Sequence, residues 1–204
     1  MEKPTLSVLT LNASLKPGSE LSSTGEVVEQ VVSAMRAHAD VTHEEVRLSD
    51  LDLPVGLRFR MSETDAWPGI VEKIHAADIV LFATPIWWGG RSSLMQRVIE
   101  RLDSLDEGEG GGRESLLNKV AGIVITGSED GAQAVAAGLM EVLSFLNFTL
   151  PPQCTTYWVG EVGQDPKTDN DRRRINPAVG EMAEKTARSL ASYAILLKDN
   201  PQSS

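Results

Sequence analysis

The sequence predicts an α/β protein, a three-layer, doubly wound α/β/α sandwich on a parallel sheet. Three observations lead there. β-rich runs recur at a spacing of about 40 residues, and helical patterns fall between them. The central runs are apolar on both faces, as a sheet covered on both sides requires. No repeat and no second unit interrupts the pattern, so residues 1–204 are expected to form one domain.

The first strand is SVLTL, residues 7–11. Ser22-Ser23-Thr24 then opens a helix whose Val27, Val28, Val31, Val32 and Met35 recur on one face. VTHEEVRL, residues 41–48, reads as the second strand, and residues 54–67 as irregular loop carrying Arg58 and Arg60. A helix follows over residues 68–77 with Pro68 at its start, where the missing N–H costs nothing. IVLFA, residues 79–83, is the third strand. Leu94, Met95, Val98, Ile99 and Leu102 predict a helix over residues 92–105, and EGEGGGRE, residues 107–114, a flexible loop. VAGIVIT, residues 120–126, is the fourth strand. Residues 132–146 read as a helix apolar nearly all round, and therefore well buried. The fifth strand lies within residues 148–159, interrupted by Pro151-Pro152. A helix over residues 177–197 and a frayed tail, 200–204, close the chain.

Composition narrows the function. Hydrophobic content of 41% and charged content of 24% are ordinary for a globular protein in water. No apolar run is long enough to span a membrane, and the first residues lack a signal peptide's apolar core. The expectation is a cytoplasmic protein without a membrane partner. A net charge of −10 argues against nucleic acid. Cys154 is the single cysteine, which excludes an internal disulfide, a Cys-rich zinc site and a four-Cys iron–sulfur cluster. His38, His43 and His75 are scattered, so no metal site is indicated.

In a doubly wound fold, ligands bind beyond the carboxyl ends of the strands. Three loops there carry the chemistry. The first, residues 12–24, holds Ser14, Lys16, Ser22, Ser23 and Thr24 and runs into a helix N-terminus, where free N–H groups and the helix dipole favour a phosphate. Ser22 or Ser23 can instead cap that helix, and both readings hold together. Neither G-x-x-x-x-G-K-[ST] nor G-x-G-x-x-G occurs here, so a hydroxyl-built phosphate site suits a mononucleotide. The second, TPIWWGG (residues 84–90), offers aromatic stacking area, a stiffening Pro85 and glycines that let a ligand approach the backbone. One of its tryptophans can equally be plain packing. The third, TGSEDGA (residues 126–132), offers backbone amides and small side chains; its acids also suit a helix start.

In this order the three motifs resemble those of the flavodoxin-like NAD(P)H-dependent FMN reductases and quinone reductases, over about residues 5–160. The family's hydroxyl-rich phosphate loop is matched by Ser14, Lys16, Ser22, Ser23 and Thr24, although the loop is longer and Ser23 stands where Asn is common. Its T-P-x-Y/W-x-G loop is matched by Thr84, Pro85, Ile86, Trp87, Trp88 and Gly89. Its T-G-x-x-x-G loop is matched by Thr126, Gly127, Ser128, Glu129, Asp130 and Gly131. The resemblance implies a flavodoxin-like, five-stranded parallel sheet of order 2-1-3-4-5. It also implies bound FMN, NAD(P)H as co-substrate, and ping-pong hydride transfer to a quinone, free flavin or similar small electron acceptor. A homodimer or homotetramer belongs to the same expectation, and no side chain is expected to act as catalytic acid or base. Backbone amides of Trp87, Trp88 and Gly89 would hold the ring edge, with Trp87 near the flavin and Trp88 packed behind it or across a subunit boundary. Arg58, Arg60 and Arg91 either steer a nicotinamide phosphate or are solvated surface charges. Two other readings stand beside this one: a flavodoxin-type electron carrier, which the acidic charge favours, and a scaffold without flavin.

Overall fold

A computed structural model describes residues 3–107, 109–128, 130–161 and 166–203. Strand β1 (Thr5–Asn12) lies between β2 (Asp40–Arg47) and β3 (Ile79–Trp87), each paired to it in parallel. β5 (Val120–Gly127) and β6 (Thr155–Val159) extend the sheet beyond β3, again in parallel, giving β2-β1-β3-β5-β6. A two-residue arm, β4 (Gly90–Arg91), folds back antiparallel on β3. With this arm set aside, the parallel order is the predicted 2-1-3-4-5 and the fold is the flavodoxin-like α/β sandwich.

Side chains alternate along each strand and so feed two helical layers. Leu9, Leu11, Val80, Phe82, Ile123 and Ile125 join the core shared with helices α2 (Trp67–Ala76), α3 (Ser93–Leu102) and α4 (Ala132–Phe145). Leu6, Val8, Ile79, Leu81 and Val124 join the core shared with α1 (Ser23–Met35) and α6 (Pro177–Asp199). Residues 54–66 are irregular but not loose. Arg101, fully buried, ion-pairs with Asp65 at 2.7 Å and donates to the carbonyls of Pro54, Arg58 and Phe59. Burial alone would raise the Asp65 pKa. The hydrogen bond from Arg101 and those from the Met61 and Trp67 N–H groups outweigh it and lower the pKa instead.

Five expectations need correction. The third strand does not stop at Ala83. It continues through Trp87 because β5 pairs with Thr84 and Pro85 on one side and the returning Gly90–Arg91 pairs with Ile86 and Trp87. The helix from residue 132 is not buried all round. Only Ala132, Val135, Leu139 and Leu143 are buried, while Gln133, Ala134 and Ala137 are exposed and Phe145 is 69% exposed. Alanine reads as apolar but covers little area, and an outer-layer helix needs only one face against the sheet. The stretch 107–114 contains short 3-10 turns, Glu109–Gly111 and Arg113–Leu116; Gly108 lies outside the described residues. The tail is tied down rather than frayed through residue 202, since the Asn118 side chain accepts from the Gln202 N–H at 2.7 Å and donates to its carbonyl at 3.1 Å. An unanticipated helix, α5 (Pro166–Ile175), precedes α6. Its sequence, PKTDNDRRRI, is too polar to display an apolar stripe, so periodicity gives no signal for it.

Candidate functional site

The strand order reverses between β1 and β3, and that reversal opens a crevice at their carboxyl ends. A cleft of about 260 Å3 occupies it. The loop after β1 contributes Ser14, Leu15 and Lys16, and the first turn of α1 contributes Ser23 and Thr24. The end of β3 supplies Pro85, Ile86 and Trp87, and the end of β5 supplies Thr126, Gly127 and Ser128. Glu161, just past β6, and Arg173 of α5 complete the wall.

The phosphate-type loop is wired from beneath. Asn12, fully buried at the end of β1, accepts from the Ser14 N–H at 3.0 Å and donates to Glu45 Oε1 at 3.0 Å and to Ser22 Oγ at 3.4 Å. Ser22 is the N-cap of α1, accepting from the Gly25 N–H at 3.1 Å. Capping therefore consumes Ser22, while Ser23 and Thr24 face the cleft. Thr24 also lies 2.8 Å, hydroxyl to hydroxyl, from Thr126, which joins the first loop to the third across the site. Ser92 performs the matching task on the other side. Its hydroxyl donates to the Ala13 carbonyl at 2.8 Å and accepts from the Met95 N–H at 3.3 Å as the N-cap of α3, and the Thr84 hydroxyl accepts from its N–H at 3.1 Å.

The TPIWWGG segment is a hairpin tip. Trp88 (φ 50°) and Gly89 (φ 74°) form its two central residues, both with positive φ. That is the signature of a type I′ turn, in which glycine is at ease and tryptophan is strained. Trp87 lines the cleft and is 51% exposed; Trp88 points away and is 91% exposed. The expectation that Trp88 packs behind its neighbour within the chain fails, because positive φ at the turn directs its side chain outward. Gly131 (φ 127°) meets this tip: a Cβ there would come within 2.9 Å of the Gly89 backbone. That approach seats the hairpin against the start of α4.

Ten of the fifteen expected binding residues thus line the cleft. The other five are Ser22, Trp88, Gly89, Asp130 and Gly131. Ser22 caps, Trp88 faces solvent, and Gly89 borders a separate groove with Arg91 and α4. Asp130 is exposed and accepts from the Gly131 N–H through its own side chain, and Gly131 supports the hairpin. Glu129 lies outside the described residues. Arg58, Arg60 and Arg91 are not on the cleft wall; Arg91 donates to Gln96 at 2.7 Å. Leu15, Glu161 and Arg173 escaped sequence reasoning. The signal for Glu161 was its position just past a strand, and for Arg173 the run Arg172-Arg173-Arg174 after the last strand. On the neighbouring strand, His43 lies 2.9 Å from the Thr10 hydroxyl. Burial lowers its pKa below the ordinary histidine value against the opposing pull of Glu29 and Glu45.

Comparison with known proteins bears on this site. The family model of the NADPH-dependent FMN reductases matches residues 6–161. The 8-demethyl-8-aminoriboflavin-5′-phosphate synthase of Streptomyces davaonensis is 33% identical over 173 residues, covering 79% of this chain and 66% of that protein. The divalent metal cation transporter MntH of Mycobacterium bovis is 37% identical over 169 residues, covering 79% of this chain but 24% of that protein. The chain therefore spans about two thirds of one curated relative and a quarter of the other. Among the described residues no helix is long and apolar enough to cross a membrane. The solved structure of RosB with bound 8-demethyl-8-formylriboflavin-5′-phosphate is 27% identical, with a TM-score of 0.81, over 97% of this chain and 82% of that one.

Proposed function

The chain belongs to the NADPH-dependent FMN reductase family, which makes FMN its cofactor and NAD(P)H its electron donor, and from that premise we propose a cytoplasmic flavin oxidoreductase that passes electrons by ping-pong transfer to a quinone, free flavin or similar small acceptor. The observation that carries the reading is the two-sided cleft, with hydroxyls at a helix N-terminus on one wall and Pro85, Ile86 and Trp87 on another.

The donor set fits FMN. Ser23 and Thr24 present hydroxyls at the first turn of α1, whose free N–H groups and dipole favour a phosphate, and Lys16 adds a positive charge. Pro85, Ile86 and Trp87 offer a stiff, partly aromatic wall for a flat ring, and Gly127 and Ser128 keep the opposite edge low. FMN, when bound there, supplies a two-electron carrier. The chain's share of the work is to bind, orient and shield. Asn12 and Ser92 hold the loop from beneath, so the donors are in place before a ligand arrives and little ordering is left to do on binding. Small-molecule sites usually run to roughly 300–1,000 Å3. This cleft is smaller and Trp87 is half exposed, which leaves its outer side open to a second molecule. Acceptor and donor can thus use one place in turn, and Trp88 offers a face to a second subunit of a homodimer or homotetramer. The test is an absorbance spectrum before and after anaerobic NADPH. Flavin bands that bleach, and return with a quinone, support the reading. Bands that persist point to an electron carrier, and a colourless protein that FMN does not quench sinks it.

A second reading has its own observation. Both the curated synthase and the RosB structure carry a riboflavin 5′-phosphate derivative in their names. On that reading the same cleft holds the flavin phosphate as the molecule to be modified. Mass spectrometry of flavin recovered after turnover separates the two: an unchanged mass supports the cofactor role, a changed mass the substrate role.

A further inference from the structure

We infer that Arg173 is the residue that makes this cleft select a phosphorylated flavin over its unphosphorylated counterpart, and that α5 exists to deliver it. The inference rests on the flavin reading above. It begins with position. Arg173 is fully buried, yet it lines the same cleft as Ser14, Lys16, Ser23 and Thr24. The chain carries a net charge of −10, but among the described residues the cleft wall gathers two cations, Lys16 and Arg173, against the one carboxylate of Glu161. A guanidinium is a planar fork of N–H donors that matches the oxygens of a phosphate monoester, and it stays charged at any working pH.

The helix around it is built to aim it. Successive helical residues point about 100° apart. Arg174 is drawn to Glu26, in the first turn of α1, with Nε 2.8 Å from Oε2. Arg172 pairs with Glu161, on the cleft wall, at 3.4 Å. With its two neighbours exposed and paired, Arg173 is the member of the triplet turned into the protein. The family match ends at residue 161, and α5 spans Pro166–Ile175, so the cation reaches the cleft from beyond the matched residues. The arrangement reads the anionic end of the ligand, not its ring.

The test compares FMN with riboflavin, by titration of tryptophan fluorescence and by calorimetry, in the wild type, Arg173→Gln and Arg173→Lys. The wild type is expected to bind FMN more tightly. Arg173→Gln should weaken FMN by about 10- to 100-fold, the usual worth of charge-assisted hydrogen bonds, and leave riboflavin within about twofold. Arg173→Lys should recover part of the loss. If Arg173→Gln keeps the wild-type preference, or weakens both flavins equally as a purely structural residue would, the inference is overturned. If the wild type binds both equally, the inference falls while the flavin reading stands; if it binds neither, the flavin reading itself falls. Should Arg173→Gln fail to fold by circular dichroism, hydrogen exchange on the wild type decides. FMN but not riboflavin should slow exchange across residues 171–176, and equal protection by both overturns the proposal.

Discussion

The two walls of the cleft are held by different means. On the side of the β1 loop and α1 the support is wired: Asn12 makes three hydrogen bonds, Ser22 caps α1, and Thr24 reaches Thr126. On the Trp87 side a hairpin carries two exposed tryptophans at a strained turn, seated against Gly131. On the flavin reading proposed above, the contrast suits what each wall would hold. A phosphate is small and charged, and rewards donors fixed to within fractions of an ångström. A flat ring rewards area and open access, which a short hairpin gives and a buried network does not.

The largest effect is expected from cutting the wiring. Asn12→Ala removes three hydrogen bonds from a fully buried position and should cost roughly 3 kcal/mol of stability, at about 1 kcal/mol each. A urea titration would read it, and FMN affinity should fall in the same variant. An unchanged midpoint would erase the distinction between the walls. Next comes the ring side itself. Trp87→Ala should weaken FMN about tenfold, near the worth of one aromatic contact, with the folding midpoint little moved because the side chain is half exposed. Equal losses of folding and binding would make Trp87 a core residue instead.

Trp88 gives the opposite sign. Asn-Gly is the favoured pair for a turn with positive φ at both central residues, so Trp88→Asn should stabilise the monomer by roughly 1 kcal/mol. A gain in stability with a loss of self-association or turnover would show that the strain is kept for a contact beyond this chain. The smallest effect is set by pH. The folded-state pKa of His43 lies below its ordinary value of about 6.5, chiefly through burial. Its contribution to stability is therefore fully present above that value and is lost as pH falls through the folded pKa. His43 sits on β2, the strand that also supplies Glu45 to Asn12, so acid should loosen the wired wall first. Comparing wild type with His43→Gln at pH 7.5 and 5.5 isolates this share from that of His75, whose pKa burial also lowers. An identical pH dependence in both would remove His43 from the account.

Much of this was legible in the chain. Val27, Val28, Val31, Val32 and Met35 announce α1 because a helix repeats its face within four residues. The residues 79–83 announce β3 because a doubly covered strand is apolar throughout. The three loops announced themselves by composition and by following strands. What stayed hidden were α5, whose polar sequence has no face to display, the extension of β3, which depends on a partner arm, and the outward turn of Trp88, which depends on the sign of one backbone angle.

The sequence by itself determined the elements, their order and the loops that meet at the sheet's edge, because hydrophobic periodicity and turn chemistry are local properties of neighbouring residues. Only the tertiary structure decided which hydroxyl caps and which faces the cleft, that Thr24 would touch Thr126, 102 positions away, and that Arg174 would clasp Glu26 across 148 positions while Arg173 joins Lys16 in lining one cleft. Those contacts join side chains that no local rule relates, and they exist because the packed sheet brings distant strand ends together.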